Sequence, residues 1–594
     1  HRGPDDAGIY VEENIALGHR RLSIIDLSSA GQQPLQSYHK RYQIIFNGEL
    51  YNYLEIKSQF GDYPFQTKTD TEVVLASYEK WGADCLHHFN GMYAFALWDT
   101  FTKELFIARD RLGVKPLYYY HKDGLMLFAS ELRTLLSTNL VPRKINTSVI
   151  NEYFTYQTVH APATIIENVS MLMPGHFMKV STSGVTNTQY WSPSTHVTTE
   201  AKYHSKKEVL QNVNDLLYAS VKRRLISDVP FGAFLSGGID SSIIVGLMSK
   251  IQQTAVETFT ITFDESKFSE SRYAGMIAEK FKTNHHEFRL KPDDFLNDLP
   301  NALLAMDHPS GDGPNSYTVS KITREAGIKM ALSGLGGDEL FAGYPVFKRT
   351  LALQSKSWIW KLPKPLRIAA GKAYAAAKPG ASSEKFLQLL KHSGAGIEHT
   401  FPVSRQISTA ETVQSILKTL PHADALQQIL KKQLNGNHSL ENLSKVSIAE
   451  MTTYMQNILL RDADQMSMSV ALEVRVPFLD YQLVEYVLGI SDELKYPTYP
   501  KKLLIESIGD LLPSEIIHRE KMGFTFPWSL WLKNELRNFC EEKILALSNR
   551  SFINETVLIN RWNKFLAGSP LVRWPDIWIG VVLENWLEQN NIDA

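Results

Sequence analysis

The sequence predicts two unlike fold classes in one chain. The first part is α+β, with layered sheets and helices; the second is α/β on a parallel sheet, with a helical C-terminal portion. Three observations predict this. Up to about Trp191 the chain is a succession of short alternating segments, among them 15–25, 42–46 and 125–129, the period of half-buried strands. From Lys207, strands at 231–235, 258–263 and 328–333 alternate with helical stretches at 209–225, 242–251 and 272–281, as the crossovers of a parallel sheet require. Beyond about Phe347 the pattern is mostly helical.

In the first part, Met92-Tyr93-Ala94-Phe95-Ala96-Leu97-Trp98 is apolar throughout, which suits a strand buried on both faces. Residues 71–81 put Val74, Leu75, Tyr78 and Trp81 on one helical stripe. Residues 192–206 are rich in Ser, Thr and Lys with no apolar period, so they read as a linker or long loop. The expected domains are therefore 1–191 and 207–594, joined by 192–206. Two domains also follow from length: 594 residues exceed the roughly 250–300 that one core can serve.

Composition excludes several classes. With 62 basic and 63 acidic residues the net charge is −1, which gives no basic face for nucleic acid. No apolar run approaches the ~18 residues of a membrane helix, so no membrane partner is expected. Two cysteines, Cys85 and Cys540, are too few for a disulfide framework or a metal site and read as reduced core thiols of a cytoplasmic protein. The start at His1 reads as a fragment or processed product, and His1-Arg2-Gly3-Pro4 does not read as a signal peptide.

The chemistry lies in two glycine loops. Leu235-Ser236-Gly237-Gly238-Ile239-Asp240-Ser241-Ser242 joins a strand to a helix. Adjacent glycines let backbone N–H groups face a concavity, the serines add hydroxyls, and the helix adds the positive end of its dipole. That is a cradle for phosphate or pyrophosphate. Asp240 does not suit an anion directly, and its natural role is to hold Mg²⁺ bridging phosphate oxygens. No GK[ST] follows, so this is not a Walker loop. A second loop, Ser333-Gly334-Leu335-Gly336-Gly337-Asp338-Glu339, again ends a strand and again carries an acid, Asp338, the second candidate for Mg²⁺. Ligands of open parallel sheets bind beyond the carboxyl ends of strands, so both loops can face one ATP.

These two loops, with the run 461–480 (RDADQMSMSVALEVRVPFLD), resemble the glutamine-dependent asparagine synthetases over nearly the whole chain. The resemblance implies a glutaminase domain of the N-terminal-nucleophile type at 1–191 and an ATP-pyrophosphatase synthetase domain at 207–594. It also implies the reaction: ATP adenylates the side chain of aspartate, and ammonia from glutamine displaces AMP. By match to the family motifs, Leu235, Ile261, Ser333 and Gly334 line the adenosine site, while Ser236, Gly237, Gly238, Ser241 and Ser242 hold the phosphates. Lys501 looks like the family's phosphate-stabilising lysine, with Asp240 and Asp338 beside it as catalytic and metal-binding groups.

The resemblance extends to a glutamine pocket. Arg21-Leu22-Ser23-Ile24-Ile25 places Arg21 against the glutamine α-carboxylate, a task that suits a guanidinium. Asn47 and Gly48 supply an oxyanion hole. Glu49 and Asp70 hold the substrate ammonium. The family's nucleophile is an N-terminal cysteine whose own amine is the base; its place lies upstream of His1-Arg2-Gly3-Pro4. The chain as written is therefore expected not to hydrolyse glutamine, and the longer protein is expected to do so.

Two departures concern the acceptor. Where many relatives carry a glutamate that helps form the adenylate, this chain has Leu335, and Asp307-His308-Pro309 stands for an expected Asp-Glu-Pro. Asp307, Asp312 or Glu339 then covers the role, or the acceptor differs. The polar stretch 310–317 is a candidate wall of the acceptor pocket. Asparagine synthesis is the leading reading. Its alternatives are amidation of another carboxylate, such as a sugar acid or peptide, and a non-catalytic scaffold, which would have no use for Asp240, Asp338 and Lys501. The sequence is silent on oligomeric state, and a homodimer stays open.

Overall fold

The computed structural model describes residues 1–262, 270–378, 380–418, 424–435, 440–519 and 526–593. The first part contains a six-stranded antiparallel sheet with Tyr42–Leu50 and Gly91–Asp99 adjacent near its middle, a three-stranded sheet, and the hairpin Asp6–Glu12/Ile15–Arg21. Eight of the nine residues of Gly91–Asp99 are buried, as an apolar run covered on both faces must be. The helix Asp70–Trp81 packs on Tyr42–Leu50, and Thr69 caps it by accepting the Glu72 N–H.

The second part is built on five parallel strands in the order Asn284–Arg289, Glu257–Thr262, Phe231–Phe234, Met330–Leu332, Glu473–Arg475. The sequence-expected strand 258–263 is Glu257–Thr262; residue 263 lies outside the described residues. The chain winds outward from Phe231–Phe234 in one direction, then returns to Met330–Leu332 and winds the other way. The strand order therefore reverses between these two strands, and each leads directly into one of the glycine loops. Such a reversal leaves a crevice where nothing covers the strand ends.

Several boundaries differ from the sequence reading, for local reasons. The helix after the first loop starts at Ile239, so Asp240, Ser241 and Ser242 occupy its first turn and Gly238 its N-cap. The polar stretch 310–317 is half helical: Pro314 opens the helix Gly313–Glu325, because proline suits the first turn. Strands Asn284–Arg289 and Glu473–Arg475 are polar and charged, so they carry no apolar period to betray them.

Residues 192–205 are loop and turn apart from the short 3-10 segment Thr199–Tyr203, and they are tied down. Trp191 donates its indole N–H to Glu485 (2.7 Å), the Thr198 N–H reaches the Glu485 carbonyl (3.0 Å), and Ser192, Ser194 and Ala201 are buried. The helical remainder includes one long helix from Asn442 to Met468 whose middle, Met451–Leu459, is π-helical. There the Asn457 carbonyl accepts the Thr158 hydroxyl and its side-chain oxygen accepts the Ala161 N–H, so the widened turn holds the first part of the chain. Cys85 and Cys540 are buried free thiols. Among the described residues no helix is long and apolar enough to cross a membrane.

Candidate active site

The two glycine loops meet. Lys501 reaches across the strand ends to both: its Nζ lies 2.5 Å from Asp240 Oδ2 and 2.9 Å from Asp338 Oδ1. The lysine is buried, and the two carboxylates outweigh burial to hold its ammonium charged well above the usual range. Its backbone is left-handed (φ 60°) at the cap of the helix Lys502–Ile508. Closeness explains the glycines. A Cβ on Gly337 would sit 2.6 Å from the Asp240 carboxylate, and one on Gly343 would sit 2.0 Å from Asp338 Oδ1. A side chain at either position would displace one of the two acids from the lysine.

The first loop is tied by its serines. Ser236 and Ser241 hydroxyls are 3.1 Å apart, the Gly238 N–H donates to Ser236 Oγ (3.3 Å), and Ser241 Oγ donates to the Gly238 carbonyl (3.2 Å). Gly237 needs its left-handed φ of 65°, and a Cβ there would strike Ala274 N at 2.7 Å. Ser242 is buried. Leu235 is held by the Phe259 carbonyl (2.9 Å), and Ile261 is buried in the neighbouring strand. Ser333 donates its N–H to the Arg475 carbonyl (2.9 Å), and its hydroxyl accepts the Leu335 N–H (3.4 Å). Leu335 is half-buried and packs against the main core.

The three acids named beside Leu335 separate clearly. Asp307 accepts the N–H groups of Leu132 (2.7 Å) and Arg133 (2.9 Å), so it anchors a helix of the first part. Asp312 precedes the helix Gly313–Glu325 and accepts from Asn315. Glu339 adjoins Asp338, is buried, and accepts the Tyr344 hydroxyl (2.8 Å). Burial first, and the Asp338 charge second, push it up to about 7. Burial also raises Asp307 and Asp312, each to about 6, so what sets Glu339 apart is its place next to Asp338.

A second cavity, of about 420 Å³, lies in the first part. It brings together Arg21, Leu22, Ile24, Ile25, Asn47, Gly48, Glu49 and Asp70. Ser23 is not on its wall; its N–H is held by Asp5 (2.8 Å). Arg21 donates to the carbonyls of Ser28, Ile25 and Asp26, so three of its five N–H groups are engaged on the pocket's rim. Asn47 Nδ2 lies 3.3 Å from Ser130 Oγ. Gly48 has φ 152°, and a Cβ on it would lie 2.1 Å from the Met92 carbonyl oxygen.

Glu49 is buried, and burial raises it well above the usual carboxylate range, against the pull of Arg475 3.2 Å away. Burial likewise pushes Asp70 up to about 6, although the Leu50 N–H donates to it (2.7 Å). Both acids line the cavity, and Arg475 already supplies a counter-charge to Glu49.

Sequence reasoning missed Arg475 and Glu473. Both are buried on the last parallel strand; Glu473 lines the first-part cavity, and Arg475 is fully buried. Arg475 also donates to Glu473 (2.8 Å) and to the carbonyls of Arg224 (3.0 Å) and Ile226 (2.7 Å). The signal was present in Glu473-Val474-Arg475-Val476: on a strand, alternate residues share a face, so the two charges had to be buried together or exposed together.

Comparison with known proteins matches the sequence to a family. The Asparagine synthase family profile matches residues 212–588, and the Glutamine amidotransferase domain profile matches residues 1–191. Glutamine-hydrolyzing asparagine synthetase 1 of Bacillus subtilis is 31% identical over 567 residues, covering 94% of this chain and 87% of the relative. The chain belongs to the asparagine synthetase family. The putative asparagine synthetase 2 of Methanocaldococcus jannaschii is 37% identical over 397 residues, 63% of this chain and 75% of the relative. Amidase chyE of Penicillium rubens is 28% identical, covering 89% of this chain and 84% of that protein. Glutamine-dependent, ATP-driven amidation is the chemistry of the asparagine synthetases.

Proposed function

We propose that this chain makes asparagine from aspartate, ATP and glutamine-derived ammonia, with residues 1–191 as the glutaminase domain, 192–206 as the junction and 207–594 as the synthetase domain. The observation that carries the reading is the convergence of both glycine loops on Lys501 at the reversal of strand order. An aspartate carboxylate oxygen attacks the α-phosphorus of ATP, and the bond to pyrophosphate breaks. Lys501 and the N–H groups of the first loop stabilise the charge that gathers on the departing pyrophosphate. Ammonia then attacks the acyl carbon, AMP leaves with the former carboxylate oxygen, and Glu339 takes the proton released from nitrogen. Leu235, Ile261, Ser333 and Gly334 hold the adenosine.

Among the described residues no group of three or more His, Cys, Asp or Glu side chains converges. Mg²⁺ arriving with ATP needs only one or two carboxylates, and the pair on Lys501 meets that need. Asp240 and Asp338 would hold it, and it would supply charge neutralisation on the phosphate oxygens. In the other pocket, Glu49 and Asp70 hold the glutamine ammonium, Arg21 its carboxylate, and Asn47 with the Gly48 N–H the oxyanion. Free buried thiols suit a cytoplasmic site of action. A homodimer is part of the same reading, checked by light scattering.

Leu335 favours a second reading, in which the same chemistry amidates a different carboxylate. Pyrophosphate release is measured with ATP, Mg²⁺ and ammonium while the acceptor is varied. Release that requires aspartate and yields asparagine supports the first reading. Release with a uronic acid or a peptide carboxylate, and none with aspartate, overturns it.

A further inference from the structure

Past the second glycine loop the helix Pro345–Ser355 leads into a short turn, Ser357–Lys361, and a helical hairpin, Lys364–Ala377 and Ala381–Lys391. The hairpin is internally well made. Arg367 turns inward and donates to the carbonyls of Leu390 (3.1 Å) and His392 (3.0 Å), Gly371 lets the helices approach closely, and Tyr374 meets Phe386 edge to face at 5.4 Å. Its outward side exposes several large apolar groups within a short stretch of chain. Trp358, Leu362, Leu366 and Tyr374 are 58%, 43%, 61% and 45% exposed, so four large apolar side chains stand in water across the turn and the first helix of the hairpin.

Charge narrows what can cover this face. The whole chain carries 62 basic and 63 acidic residues, yet residues 340–383 contain eight Lys and Arg and no Asp or Glu. Lys361, Lys364, Lys372 and Lys378 are exposed in the same stretch of chain, and the nearest acid in sequence on its C-terminal side is Glu384 on the facing helix. The covering surface must therefore be anionic and must also accept tryptophan and leucine. A second copy meeting this face symmetrically would oppose lysine to lysine, which disfavours self-association. A nucleic acid would satisfy the lysines and leave the leucines in water. Aromatic and leucine side chains rimmed by lysine match the headgroup boundary of an anionic bilayer: apolar groups enter the acyl edge and ammonium groups stay at the phosphates.

We propose that residues 356–378 dock this protein on an anionic lipid surface as a peripheral, non-spanning contact. The test is co-sedimentation of the full chain with vesicles of phosphatidylcholine alone or containing phosphatidylglycerol. Binding is expected only with phosphatidylglycerol and is reversed by added salt. The variant Lys361→Gln/Lys364→Gln/Lys372→Gln is expected to lose partitioning by about a hundredfold, at roughly fivefold per lysine near the surface. Leu362→Ser/Leu366→Ser is expected to lose at least about tenfold. All five side chains are exposed, so pyrophosphate release without vesicles is expected unchanged in both. Equal binding to the two vesicle types, or binding indifferent to both variants, overturns the proposal. So does a dimer that the leucine variant splits in the absence of vesicle binding, or retention on RNA or on an acidic protein with none on vesicles.

Discussion

Replacing Lys501 with methionine keeps the unbranched apolar stem but removes the terminal ammonium, leaving Asp240 and Asp338 facing each other. In the parent the ammonium lies 2.5 Å from one and 2.9 Å from the other. Taking one partner out of a buried ion pair costs about 3–5 kcal/mol. The two carboxylate side chains are 13% and 17% exposed, so water relieves part of that penalty, and the lower end, about 3 kcal/mol, is expected. The denaturation midpoint of Lys501→Met should fall accordingly without Mg²⁺. Because the vacated place suits a divalent cation, Mg²⁺ should restore stability to the variant far more than to the parent. Turnover should fall by about 10²–10³, the usual effect of removing one preorganised donor to developing charge. The assays are urea unfolding with and without Mg²⁺, and pyrophosphate release at saturating ATP. Parental stability together with parental turnover would refute the assignment of this lysine to both carboxylates and to the phosphates.

Other perturbations address the remaining groups. Gly48→Ala places a Cβ 2.1 Å from the Met92 carbonyl oxygen at φ 152°; about 2–4 kcal/mol of destabilisation and loss of glutamine binding are expected by thermal unfolding and calorimetry. Asp70 is raised to about 6 in the folded chain, so its contribution to stability is present below its unfolded value and lost as pH rises through about 6. Glutamine binding needs its anion, so affinity should weaken below about pH 6 and binding there should release protons; calorimetry in buffers of different ionisation heat would detect a flat profile if this is wrong. Glu339→Gln should remove a limb near pH 7 from the ammonia-dependent pH–rate profile while leaving ATP affinity intact; an unchanged profile assigns the proton to another group. Arg475→Met leaves Glu49 without its guanidinium, so glutamine affinity and urea midpoint should both drop, the latter by about 3 kcal/mol.

What was legible in the sequence divides along physical lines. Elements driven by apolar period were readable: the buried run 92–98 is a strand, and the stripe of 71–81 lies in the helix Asp70–Trp81. The glycine loops were readable because only glycine tolerates such close approach, and spacing preserves that requirement. Strands made of charged residues were not, because Glu473–Arg475 is specified by partners distant in sequence, such as Glu49, Arg224 and Lys115. Residues 192–206 carry no local period, and the contacts that order them come from Glu485 and the residues around it. The role of Asp307 was hidden likewise, since its partners Leu132 and Arg133 belong to the first part of the chain.

Arg475 has a bearing on how this protein can be taken apart or rebuilt. Its guanidinium stands beside Glu49 in the first part, while its own carbonyl receives the Ser333 N–H at the start of the second glycine loop. The division at 191–207 drawn along the chain is therefore not a division in space. A chimera that grafts residues 1–191 onto a foreign synthetase will carry a buried Glu49 with no counter-charge unless the incoming strand presents an arginine at the same register. Recombination between relatives should succeed only when residues 49 and 475 travel together, although more than four hundred positions separate them.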